Sequence, residues 1–110
     1  MRRRYPTPEE AAVAELAYAR AMGLESARAR IEFYRRLVPI EVAAVAAHEQ
    51  LAELAQSPWV DRGERWSSTY HLRRARESLA ASQAALAALE GWAGEAALPA
   101  MHPHDHSRCG

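Results

Sequence analysis

The sequence predicts a small all-α protein, a bundle of about four helices in which the third and a long fourth helix run antiparallel, with a flexible His-rich C-terminal tail. Three observations lead there. Alanine supplies roughly half of a 49% hydrophobic content, and alanine favours helix more than any other residue while burying little area. Apolar residues recur at alternating spacings of three and four along most of the chain, the period of one helical face. Thr7, Pro8 and Glu10 combine an N-cap, a first-turn proline and the glutamate of a capping box. A chain of 110 residues fits one domain, expected over 1–98 with an N-terminal arm at 1–6, and 99–110 form the tail.

The first helix is expected from Pro8 to about Met22, with Val13, Leu16, Ala17 and Ala21 on one side and Gly23 ending it. A second follows from Leu24, its stripe running through Ala27, Ile31, Tyr34 and Val38. Pro39 disfavours α conformation at Val38 and suits a first helical turn, so a turn or sharp kink is expected at 37–39. The third helix then spans Pro39 to about Gln56, with Ile40, Ala44, Ala47, Leu51 and Leu54 as its core stripe. Ser57 to Ser67 holds Pro58, Asp61 and Gly63 without a clear period and reads as a loop anchored by Trp59 and Trp66. The fourth helix is expected from about Ser68 to Glu90, with Leu72, Ala75, Leu79, Ser82, Leu86 and Leu89 in heptad positions. Gly91 and Gly94 loosen its end and Pro99 opposes continuation.

Fourteen acidic residues balance fourteen basic ones, so no overall field draws the molecule to nucleic acid or an anionic membrane. The single cysteine, Cys109, permits no intrachain disulfide, and the prolines and acids after the basic start leave no apolar region for an export signal. A cytoplasmic location is expected, without a membrane span.

Three constellations carry chemical meaning. His102, His104, His106 and Cys109 alternate as donors to a transition metal would in an extended tail, although no matching half-site exists elsewhere. Arg28, Arg35 and Arg36, with Arg73, Arg74 and Arg76, could assemble a phosphate-binding face, while Glu32 and Glu77 at helical spacing also suit plain solvated pairs. Leu72, Leu79, Leu86, Leu89 and Trp92, with the loop residues Trp59 and Trp66, form the expected partner-binding set. His48-Glu49 lacks the second histidine of a zinc-protease helix, since Ala52 stands in its place. No nucleophile with a base, phosphate loop or paired carboxylates stands out.

The leading expectation is therefore a non-enzymatic interaction or assembly module without a cofactor, acting as an oligomer subunit or an adaptor in a larger complex. Its partner would be a second copy or another protein. Nucleic-acid binding through the arginines and metal binding through the tail are the alternatives.

Overall fold

The computed structural model describes residues 6–101 and contains three helices: α1 (Pro8–Met22), α2 (Leu24–Leu54) and α3 (Arg62–Met101). The arm residues Arg2 to Arg4 and the tail ligands His102, His104, His106 and Cys109 lie outside the described residues. The all-α class is as expected, but the count of about four helices is not.

The difference lies at Pro39. Helices expected at 24–38 and 39–56 are one helix, with Pro39 inside it. A proline there removes one backbone donor and crowds the preceding turn, at a cost of ~3 kcal/mol or more. What offsets that cost is a seam that does not break. Ala27, Ile31, Tyr34 and Val38 continue in the same four-three alternation as Glu41, Val45, His48, Ala52 and Ala55, and each is buried or half-buried. Both sides of the proline are thus held against α3 by one face.

α1 begins as its sequence requires. The Thr7 hydroxyl accepts from the Glu10 backbone N–H at 3.1 Å, and the Glu10 carboxylate accepts from the Thr7 backbone N–H at 2.9 Å. Its inward face is Ala12, Glu15, Leu16 and Ala19, whereas Val13, Ala17 and Ala21 point to solvent. The expected stripe was turned because Glu15 occupies an apolar-looking position. Gly23 alone joins α1 to α2, at φ 96° and ψ 176°, a region essentially confined to glycine. Its N–H donates to the Ala19 carbonyl at 2.8 Å, closing the first helix.

α3 starts six residues earlier than expected, at Arg62, because Asp61 caps it: its Oδ1 accepts from the Glu64 N–H at 2.8 Å. Arg65 reaches back to the end of α2, donating to the carbonyls of Ala55 and Ser57 at 3.1 Å each and meeting acceptors that a helix C-terminus leaves open. At its other end α3 continues through Gly91 and Gly94 to Met101, past the expected stop at Glu90. Trp92 and Ala93 pack there against a core of Ala19, Ala27, Ile31 and Leu89, which holds that turn helical.

α2 and α3 run antiparallel, as the cross-links Arg35 to Glu90, Glu49 to Arg76 and Ala55 to Arg65 show. α1 lies along α3 and the first part of α2. Three helices therefore pack at one end, and two continue alone as a hairpin toward Trp59. With extents of 78 × 31 × 18 Å, the molecule is a rod.

Candidate functional site

The expected partner-binding seam of α3 is largely used within the chain. Leu89 is fully buried by α1 and α2, and Leu72, Leu79, Leu86 and Trp92 are half-buried. α1, placed on α3, covers surface that α2 leaves open. The two loop tryptophans differ from these. Trp59 is 84% exposed and Trp66 67% exposed, with Trp66 now on the first turns of α3 and stacked on Tyr70 at 5.2 Å. So exposed, they do not anchor the hairpin end as expected.

A row of exposed large apolar side chains lies on α2. Ile40 and Leu54 are 65% and 67% exposed, Phe33 and Leu51 each 53%, and Ala47 is exposed while Leu37 and Ala44 are half-buried. Phe33, Leu37, Ile40, Ala44, Ala47, Leu51 and Leu54 keep heptad spacing, so they form a second stripe beside the seam. Of the stripe expected in the core of the third helix, Ile40, Ala47, Leu51 and Leu54 are therefore on the surface, and Ala44 borders the groove against α3. The seam holds Glu41, Val45, His48 and two alanines instead. Two grooves follow the exposed stripe. One is lined by Phe33, Arg36, Leu37 and Ile40, the other by Leu51, Leu54, Val60 and Glu64. A further groove of about 540 Å³, at the step where α1 begins, is bounded by Pro6, Pro8, Leu72, Arg73 and Arg76.

The arginines are dispersed. Arg35 pairs with Glu90 at 2.8 Å and Glu32 at 3.5 Å, Arg76 with Glu49 at 3.0 Å, and Arg74 with Glu77 at 3.7 Å. Arg73 lies over the Tyr70 ring at 5.6 Å. Arg28 and Arg36 are exposed on α2. The candidate phosphate face is thus interleaved with carboxylates across the helix seam, which lowers its field.

Sequence reasoning missed one polar cluster. Glu15, 7% exposed, receives both Arg30 Nε, at 2.6 Å, and Arg30 Nη2, while the Tyr34 hydroxyl donates to it at 2.6 Å. The Arg30 guanidinium also lies 4.9 Å from the Tyr18 ring centre. Burial alone would raise the Glu15 pKa, but the hydrogen bonds from Arg30 and Tyr34 and the guanidinium charge prevail and hold it below the usual carboxylate range. Burial, then the bond to Glu15, raises the Tyr34 hydroxyl. This arrangement clasps α1 to α2; the donors fill the carboxylate and leave it poorly placed for proton transfer. Glu15 spaced three and four from Ala12 and Ala19 was the available signal.

In the seam, Ser78 donates to Glu41, whose other oxygen is buried without a partner, and His48 stacks with His71 at 6.1 Å. Among the described residues no group of three or more His, Cys, Asp or Glu could hold a metal ion, and no helix is long and apolar enough to cross a membrane. Protein-family models, curated proteins and solved structures gave no match to this chain.

Proposed function

We propose that the chain is a non-enzymatic helical assembly module that presents the outer stripe of α2 to a protein partner. The observation that supports this is an inversion of burial. Ile31 and Leu89 are the large aliphatic side chains of the buried core, while Phe33, Ile40, Leu51 and Leu54 are more than half exposed on one helical face. A contiguous apolar patch of this kind on a small domain is the ordinary mark of a protein contact. Its regular heptad spacing suits another helix as the partner.

The test uses Ile40→Asp and Leu51→Asp, which leave the α2–α3 seam untouched. Helicity by circular dichroism should be unchanged, while any oligomer or co-purified complex of the natural chain should dissociate. A complex that survives both substitutions with its mass unaltered would place the contact elsewhere and end this reading of α2. The arginine reading has less support, because Arg35, Arg74 and Arg76 already face carboxylates.

A further inference from the structure

We infer that the occupant of the α2 stripe is a second copy of this chain, laid antiparallel and centred between Ala44 and Ala47. The inference rests on the assembly reading above and names its partner. The stripe from Leu37 to Leu54 is symmetric in both spacing and size: Leu37 and Ile40 are large, Ala44 and Ala47 small, Leu51 and Leu54 large. Turned end for end, it sets Leu37 against Leu54, Ile40 against Leu51 and Ala44 against Ala47. The alanines allow close approach at the centre, with bulky side chains closing both sides.

Charge selects the direction. Arg36 lines the groove beside Phe33, Leu37 and Ile40, and Glu64 lines the groove beside Leu51 and Leu54. Among the described residues neither has an ion-pair partner, whereas Glu32 in the first groove is engaged by Arg35. Antiparallel pairing brings the Arg36 end of each copy to the Glu64 end of the other, twice by symmetry. Parallel pairing would stack arginine on arginine and glutamate on glutamate.

The area suits a small, concentration-dependent interface. With roughly 200 Å² for a whole Leu, Ile or Phe residue, the exposed fractions of Phe33, Ile40, Leu51 and Leu54 amount to on the order of 400 Å² per protomer. The exposed Ala47 and the groove-lining Val60, Arg36 and Glu64 add to this, against the ~800 Å² per partner of a standard interface.

The experiment is the solution mass of the natural chain by light scattering or sedimentation equilibrium across a concentration series, repeated for three charge variants. A dimer is expected. Arg36→Glu and Glu64→Arg should each weaken it on the order of tenfold, since each places two like-charge contacts in the dimer. The chain carrying both changes should regain most of the affinity. A dimer indifferent to the single reversals, or weakened further by the double one, would overturn the antiparallel arrangement. A monomer at every concentration would overturn self-pairing. If Ile40→Asp still released a foreign protein in that case, the assembly reading would survive; if it released nothing, both would fall.

Discussion

Glu15 carries a negative charge into the most covered part of α1, and the packing of α1 depends on its partners. Removing it as Glu15→Ala strands Arg30 and the Tyr34 hydroxyl. Because Arg30 keeps 38% side-chain exposure and can partly rehydrate, the expected loss is about 2–3 kcal/mol, below the 3–5 kcal/mol of a fully buried pair. Chemical denaturation at neutral pH measures it. The pH dependence follows from the direction of the shift. A carboxyl whose folded pKa lies below its unfolded value contributes stability above the unfolded pKa, and that contribution is lost as pH falls through the folded one. Stability should decline below about pH 4, the unfolded carboxylate range, and Glu15→Gln should flatten that acid limb; an unchanged limb would assign the decline to other carboxylates. Gly23 gives a second prediction. A Cβ there meets nothing within 4 Å, so Gly23→Ala isolates backbone strain, expected at about 1–3 kcal/mol. Residues of this kind were unevenly legible: a glycine between two amphipathic runs announces a turn, while a buried acid among alanines resembles a solvated one until its donor is found fifteen residues away.

At the scale of the element, the sequence made the α1 start, the antiparallel long helices and the apolar face of α3 readable, because capping chemistry and heptad leucines are local signals. It obscured the continuity of α2. Two stripes compete after Pro39, and the one richer in large apolar residues is the one left outside. A rule that assigns the more hydrophobic face to the core selects Ile40 and Leu54, breaks phase with Ile31 and Tyr34, and then finds in Pro39 a reason for a new helix. The start of α3 was also signalled, by Asp61 and Glu64 three residues apart, but Pro58 and Gly63 outweighed it. If α2 is held through its proline only by the seam, then Pro39→Ala restores a donor to the Arg35 carbonyl without touching that seam, since Pro39 is exposed. Thermal melting should rise, by as much as ~3 kcal/mol in stability. A lower melting temperature would mean that the proline shapes a contact the chain needs. At the hairpin end, Asp61→Ala should cost about 1 kcal/mol as an N-cap loss, with fraying detected by faster exchange of the amides at 62–65.

The whole molecule divides into a three-helix end with a real core and a two-helix end with almost none. Its radius of gyration is 20.0 Å, against ~13 Å for a compact domain of this length, so much of the chain lies far from the cluster of Ala19, Ala27, Ile31 and Leu89. Local opening is governed by buried contacts, and the part of the hairpin beyond α1 has alanines, Val45, His48 and Glu41 where a stable pair would have leucines. A monomer should therefore exchange amides in two tiers, slowly over 15–31 and 81–93 and faster over 45–54 and 62–72. Association through the α2 stripe changes this unevenly, because its 44–54 half adds apolar contacts where the hairpin lacks them, whereas its 37–40 half lies beside the already packed three-helix end. Protection over 45–54 should rise with protein concentration, while protection around Leu89 stays constant. Hydrogen exchange at two concentrations reads both segments in one sample. If the gain occurs instead around Leu89, the contact lies on the three-helix end. If the fast tier stays fast at every concentration, the hairpin is stabilised by no copy of this chain, and its exposed leucines and isoleucine require a different protein to cover them.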